Sequence, residues 1–241
     1  MSKLTPPVSQ FVSVDGVRLH YQVVGQDTPR LPIIFTHGGG PGSTAWSNFR
    51  LSAETFAAQH RCYFLDFAQF GRSDMVPVHG PLLGWHARKL LGFMDALGLE
   101  RVHLINQSLG GAVALRLAVD APQRVGRLIS IGAQPVDRGV LQPLPLFSKH
   151  AATLMSDYYL ADDGPSIGKM RVLLGRYELH NDELLDDENL RLRFEASDNA
   201  GFIQLLQTPG AFGEWESLLP VLDQVQAPTL LCWGLHDWFG S

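Results

Sequence analysis

The sequence contains little cysteine: Cys62 and Cys232 are its only two in 241 residues. This count excludes the disulfide frameworks that hold together many small secreted domains. Both cysteines lie in apolar, strand-like runs, so we expect buried free thiols in a reducing compartment. The sequence therefore predicts a cytoplasmic protein.

Long apolar runs and clusters of basic residues are also missing. No apolar stretch reaches the length of a membrane span, and the first ten residues, MSKLTPPVSQ, lack the apolar core of a signal peptide. The net charge is −5, and Lys and Arg form no run. These absences argue against a membrane or nucleic-acid partner. We expect a small-molecule substrate, and a homo-oligomer is compatible with the sequence.

Short β-rich runs alternate with helical patterns over the first 135 residues. A hairpin is predicted at 10–24, turning at Asp15-Gly16. The other predicted elements are strands at 31–36, 62–67, 102–106 and 127–131, and helices at 82–97 and 109–119. This alternation predicts an α/β fold with a mostly parallel sheet that carries helices on both faces.

The alternation stops after about Gly132, and a strand pattern returns only at 229–233. We therefore assign 1–135 to an α/β core and 136–222 to a helical lid, a segment without a clear strand. Residues 223–241 continue the core with one strand and its following turn. The lid is expected over the C-terminal edge of the sheet, where open α/β sheets bind ligands.

Ser108 stands between a predicted strand and a predicted helix in LINQSLGGAVAL. A nucleophile elbow places its serine in such a strained turn and needs small residues two positions to either side. Gly110 satisfies the downstream position, whereas the upstream position holds Asn106. A serine that only caps a helix is the alternative. We predict that Ser108 is a nucleophile.

A glycine-rich loop, HGGGPGSTAWSNF at 37–49, follows the strand at 31–36. Three consecutive glycines allow a sharp turn that aims backbone N–H groups into a cavity. With the N–H of Leu109, such a loop would stabilise an oxyanion. No Gly-Lys-Ser/Thr follows, which excludes a P-loop, and a dinucleotide fingerprint fits poorly. We predict neither a cofactor nor a metal site.

Together these segments resemble those of the α/β-hydrolases, and within that superfamily the meta-cleavage product hydrolases, which split carbon–carbon bonds in ring-opened aromatic compounds. The matching stretches span nearly the whole chain: HGGGPGSTAWSNF, LDFAQFGRSD, INQSLGG, RFEAS and WGLHD. The first is the specific one. The elbow and the WGxxD pattern also occur in esterases, lipases, dehalogenases and peptidases.

The resemblance implies a role for each matching position. Ser108 is the implied nucleophile and Asp237 the implied acid of a catalytic triad. The remaining implied roles are oxyanion donors at Gly39 and Leu109, and substrate contacts at Gly38, Gly40, Asn48, Gln107 and Arg193. Arg193 would bind the substrate carboxylate through a bidentate fork. A salt bridge along a solvated helix is its alternative role.

Two positions depart from the family pattern. Gln107 replaces the Asn that usually precedes the nucleophile, which bears on the substrate more than on the reaction class. The segment FAQFG replaces a PGFG-type turn, so a differently shaped loop is expected there.

The family order is Ser, then Asp or Glu, then His, and the sequence given runs four residues past Asp237. The family's last strand, histidine loop and closing helix are therefore not in it. None of the nine histidines is expected to be the base, although His150 and His180 could overhang the pocket; Asp137 is an alternative acid. We expect a fragment of a longer enzyme rather than a natural short form, with an exposed sheet edge. A carboxylesterase or lactonase and a ligand-binding module are the alternative functions.

Overall fold

A computed structural model describes residues 5–133, 149–161, 164–235 and 237. Its strands are β1 (Gln10–Val14), β2 (Val17–Val24), β3 (Ile33–Thr36), β4 (Cys62–Leu65), β5 (Val78–Pro81), β6 (Val102–Gln107), β7 (Val125–Ile131), β8 (Phe212–Glu214) and β9 (Thr229–Cys232). Its α-helices are α1 (Ala45–Ala57), α2 (Leu82–Ala96), α3 (Leu109–Asp120), α4 (Lys149–Leu160), α5 (Ile167–Leu173), α6 (Asp187–Ser197) and α7 (Ala200–Leu206).

The main sheet has seven strands in the order β1-β2-β4-β3-β6-β7-β9. The pairs β1–β2 and β2–β4 are antiparallel, and all other pairs are parallel. Successive residues of β6 enter different cores: Leu104 packs with residues of α2 and α3, and Ile105 packs with residues of α1. The predicted mostly parallel sheet with helices on both faces is confirmed.

The predicted hairpin is also confirmed. Val14 pairs with Val17, and the two residues between them have φ values of 46° at Asp15 and 77° at Gly16. Two-residue hairpin turns need such left-handed angles, which Asp and Gly adopt more easily than most residues.

Four helices, α4–α7, lie between β7 and β9 and share a core that includes Tyr159, Leu190 and Phe202. The expectation of no strand in this region is wrong at one point, since β8 pairs in parallel with β5 in a separate two-stranded sheet. A three-residue strand is too short to show a period-two alternation. Part of the predicted lid, 136–148, lies outside the described residues.

Helix α6 is attached to the core at two points. The buried Arg50 of α1 donates from Nη2 to Asp186 Oδ2 at 3.1 Å, and Asp186 caps α6 by accepting from Asn189 N–H at 2.6 Å. Further along α6, Arg193 Nε donates to Pro41 O at 2.9 Å. These contacts hold α6 over the glycine-rich loop that follows β3.

Strand β9 forms one edge of the described sheet. Leu230 and Leu231 of this strand are 56% and 62% exposed. On the adjacent strands, Ile105 of β6 and Ile129 of β7 line a cavity of about 500 Å³. Cys62 is buried as predicted, but Cys232 is only half-buried because it lies on this edge strand, which corrects the prediction. No helix within the described ranges has the length and apolarity to cross a membrane.

Candidate active site

Ser108 lies in a strained turn between β6 and α3, with φ 50° and ψ −116°. Its N–H donates to Ile131 O at 2.9 Å, and its carbonyl accepts from the N–H groups of Gly111 and Ala112. The side chain makes no capping hydrogen bond to α3, so the helix-cap alternative is wrong. The strained turn that the sequence predicts at this position is confirmed.

The two glycines after Ser108 are sterically required. A Cβ at Gly110 would lie 2.5 Å from Thr36 Oγ1 and 2.8 Å from His37 O, and a Cβ at Gly111 would overlap the methyl group of Ala133. These clashes confirm that the start of α3 needs small residues.

Asn106, two residues before Ser108, is fully buried and uses its amide to join three strands. Its Oδ1 accepts from Thr36 Oγ1 at 2.7 Å, and its Nδ2 donates to Ile129 O at 3.2 Å. The side chain thus finds space between β3 and β7. No signal in the sequence indicates these two partners.

The glycine-rich loop packs directly against the Ser108 turn. A Cβ at Gly38 would lie 3.0 Å from Ser108 Cβ, and a Cβ at Gly39 would lie 3.8 Å from Leu109 Cδ2. Among the described residues, the N–H groups of Gly39 and Leu109 have no hydrogen-bond partner. Two free donors therefore adjoin the turn that carries Ser108.

His37 holds this loop in place. Its Nε2 accepts from Phe67 N–H at 3.0 Å, so Nδ1 carries the proton and donates to Gly38 O at 2.7 Å. Burial lowers the pKa of His37 and keeps the ring neutral. The expectation that His37 supports the loop is confirmed, and both its nitrogens are occupied.

Asn48 and Gln107 meet beside the loop. Asn48 Nδ2 donates to Gln107 Oε1 at 3.0 Å, and Asn48 Oδ1 accepts from Ser43 Oγ at 3.1 Å. A Cβ at Gly38 would overlap Gln107 Oε1. The structure therefore brings together Gly38, Asn48, Gln107 and Ser108.

The Arg193 guanidinium is buried, and Glu178 already pairs with it. Nη1 and Nη2 donate to Glu178 Oε2 and Oε1 at 2.8 Å and 3.0 Å. The alternative of a salt bridge along a solvated helix is wrong for Arg193, whose side chain is 7% exposed; Arg191 makes that kind of pair, with Glu195. A Cβ at Gly40 would lie 3.5 Å from Arg193 Nη2.

Asp237 lies in the turn after β9, beside the end of β7. Its N–H donates to Gly234 O at 3.1 Å, and a Cβ at Gly132 would lie 3.3 Å from its Oδ2. Because Ser108 N–H bonds to Ile131 O, the residue before Gly132, the serine turn and the acidic turn meet at the end of β7, the strand that lies between β6 and β9. The alternative acid Asp137 lies outside the described residues.

No histidine whose side chain is described forms a hydrogen bond with Ser108. His60 Nδ1 bonds to Leu31 O at 2.8 Å, and His180 is exposed. His86, on α2, is fully buried, and neither of its ring nitrogens has a hydrogen-bond partner within the described ranges. Burial lowers its pKa to about 3. His236 and the side chain of His150 lie outside the described part.

A second serine, histidine and aspartate form a chain of hydrogen bonds elsewhere. His20 Nδ1 bonds to Asp66 Oδ2 at 2.8 Å, and its Nε2 bonds to Ser9 Oγ at 2.9 Å. Asp66 Oδ1 also accepts from Ala45 N–H at the start of α1. Ser9 precedes β1 and lies outside any strained turn, unlike Ser108. These hydrogen bonds instead join the N-terminal segment to the core.

Comparison with known proteins agrees with this geometry. The sequence model of the α/β hydrolase fold family matches residues 32–241. A 2-hydroxy-6-oxononadienedioate/2-hydroxy-6-oxononatrienedioate hydrolase of Paraburkholderia xenovorans (strain LB400) is 32% identical, over 96% of this chain and 80% of that protein. A 2-hydroxy-6-oxo-6-phenylhexa-2,4-dienoate hydrolase of Comamonas testosteroni is 31% identical, over 92% of this chain and 75% of that protein.

A solved structure gives the same picture. The meta-cleavage product hydrolase of Pseudomonas fluorescens IP01, in a mutant form complexed with acetates, superposes with a TM-score of 0.73 at 26% identity, over 96% of this chain and 81% of that one. The chain therefore belongs to the α/β-hydrolase fold family, within which it resembles the meta-cleavage product hydrolases.

Proposed function

We propose that this protein cleaves a carbon–carbon bond in a ring-opened 2-hydroxy-6-oxo-dienoate, with Ser108 as the nucleophile. The observation that carries the proposal is the placement of two N–H groups, of Gly39 and Leu109, beside the strained Ser108 turn, neither of which has a partner in the part of the chain that the structure describes. Such fixed donors stabilise the oxyanion that forms when a serine attacks a carbonyl. The names of the curated relatives supply the substrate class.

In this mechanism the polar end of the substrate lies against Asn48 and Gln107, with its carboxylate on Arg193. The dienol first takes its keto form. Ser108 Oγ then attacks the remote carbonyl carbon while a base accepts the serine proton, and the N–H groups of Gly39 and Leu109 bind the oxyanion. The carbon–carbon bond breaks, the shorter dienoate leaves with a proton, and water releases the acid from Ser108.

The base in this mechanism is a histidine that Asp237 orients, as in other hydrolases of this fold. No histidine with a described side chain bonds to Ser108. If none of the chain's own histidines acts as the base, turnover stays near the residual level of hydrolases that lack one triad member, roughly 10³–10⁴ over water. Imidazole in solution should then replace the base and raise the rate.

The test is to incubate the purified protein with 2-hydroxy-6-oxo-6-phenylhexa-2,4-dienoate and to quantify benzoate by chromatography, with and without imidazole. We expect slow benzoate formation that imidazole accelerates in the wild type and does not accelerate in Ser108→Ala, because the residual rate without a base does not need the serine. Ser130→Ala is the matched control, because Ser130 is a buried serine on the neighbouring strand β7. An acceleration by imidazole that is equal in Ser108→Ala and the wild type would refute the role of Ser108.

Ester or lactone hydrolysis is the second candidate function. The observation that favours it is the Glu178 carboxylate, which already neutralises the cation that would attract an acidic substrate. Cleavage of simple esters without formation of benzoate would support this alternative. Binding of the dienoate without turnover, unaffected by Ser108→Ala, would indicate a binding module instead.

A further inference from the structure

Glu178 ends a π-helical turn, Leu174–Glu178, that directly follows α5. Leu179 N–H closes the wide turn by donating to Leu174 O at 2.8 Å. Turns of this kind are rare and are frequent at functional sites. Here the turn places a carboxylate against the glycine-rich loop, because a Cβ at Gly40 would lie 3.2 Å from Glu178 Oε1.

The Glu178 carboxylate occupies both arms of the Arg193 fork, at 2.8 Å and 3.0 Å. The third guanidinium nitrogen of Arg193, Nε, donates to Pro41 O. The Arg193 side chain is 7% exposed, whereas that of Glu178 is 29% exposed. The carboxylate is therefore the member of the pair that water, or a ligand, reaches more easily.

A bidentate carboxylate is also what the proposed function assigns to Arg193. Two carboxylates cannot fill the same pair of N–H groups, and like charges at this separation repel each other. A ligand without charge does not compete for the fork. Glu178 therefore weakens the binding of acidic ligands and leaves the binding of neutral ligands of the same shape unchanged.

We infer that Glu178 is a specificity-determining residue. It acts as the resident counter-ion of Arg193, which an acidic substrate must displace from the fork, and it thereby lowers the preference of the site for acids over neutral esters. This inference rests on the proposed function, because it takes the fork of Arg193 as the carboxylate site. A purely structural pair, which only fixes α6 to the π-helical turn, is the opposing explanation.

The experiment measures the Kd of two ligands by tryptophan fluorescence: 2-hydroxy-6-oxo-6-phenylhexa-2,4-dienoate and its methyl ester. In Glu178→Gln we expect about tenfold tighter binding of the acid, because the repulsion and the competition are gone, and unchanged binding of the ester. In the double variant Glu178→Gln/Arg193→Met the gain for the acid should disappear. That double variant leaves neither charge unpaired and so limits the risk of unfolding.

The matched control is Glu195→Gln, which breaks the exposed Arg191–Glu195 pair on the same helix and should change neither Kd. Equal weakening of acid and ester in Glu178→Gln would show a structural pair and overturn the inference. A Kd of Glu178→Gln for the acid that is unchanged or higher than that of the wild type would overturn the inference as well. If the variant binds the acid more tightly but forms no benzoate, this inference stands and the proposed reaction fails.

Discussion

Asn106 Oδ1 accepts a hydrogen bond from Thr36 Oγ1 at 2.7 Å, and both residues are fully buried. The bond joins the strand that leads to Ser108 with the strand that leads to the glycine-rich loop. The two halves of the candidate oxyanion site are thus fixed to each other directly beneath the serine.

Asn106→Ala should therefore lower the free energy of unfolding by roughly 1–3 kcal/mol, because it leaves the Thr36 hydroxyl buried without its acceptor. Urea unfolding of Asn106→Ala, Thr36→Val and the double variant measures this coupling. We expect the double variant to cost less than the sum of the single variants. Strictly additive costs would show that the bond contributes nothing.

Gly110→Ala should destabilise the protein by roughly 1–3 kcal/mol, because the new methyl group meets Thr36 Oγ1 and His37 O. The matched control is Gly168→Ala in α5, where the nearest atom would be 3.9 Å away. Since alanine favours helices, that control should gain up to about 1 kcal/mol. Thermal unfolding of both variants gives the comparison, and equal stability of the two would contradict the steric argument.

The sequence predicts the parts of the site that depend on neighbouring residues. The turn at Asp15-Gly16 and the strained angle at Ser108 follow from local chemistry, and both are present. The partner of Arg193 is not predictable in this way, because Glu178 reaches it only through the packing of the π-helical turn on α6.

The loop FAQFG, residues 67–71, is a second place where the sequence predicts a local feature but not its long-range contacts. Its Gln69 stands where the family pattern has glycine and adopts a φ of 73°. Its amide donates to Val76 O and to Ala211 O, the second of which is 142 residues away along the chain. The residue type predicts an unusual loop there, but the partners of Gln69 depend on long-range packing that no local pattern encodes.

Ser108→Gly should be more stable than Ser108→Ala by about 1 kcal/mol, because only glycine relieves the left-handed angle, a gain that exceeds its larger entropy loss. Urea unfolding of the two variants measures the difference. Ser47 is a helical residue in the first turn of α1, where glycine and alanine would remove its capping hydrogen bond equally, and it offers a control with the opposite sign. There the alanine variant should be the more stable one by about 0.5–1 kcal/mol, and the same sign at both sites would rule out strain at Ser108.

His86 should make the fold sensitive to acid. Burial lowers its pKa from 6.5 to about 3, so between these values the unfolded chain binds a proton that the folded chain does not. Stability is therefore fully present above pH 6.5 and falls as the pH drops toward 3, by about 2 kcal/mol between pH 7 and pH 5 for this one group. Burial lowers the pKa of His37 as well, which adds a loss of stability of the same sign.

The variant His86→Leu should remove the loss of stability that His86 causes and leave the loss that His37 causes. Urea unfolding of wild type and variant at pH 7 and pH 5 tests this, and an unchanged difference between the two pH values would show that His86 is not the group that titrates.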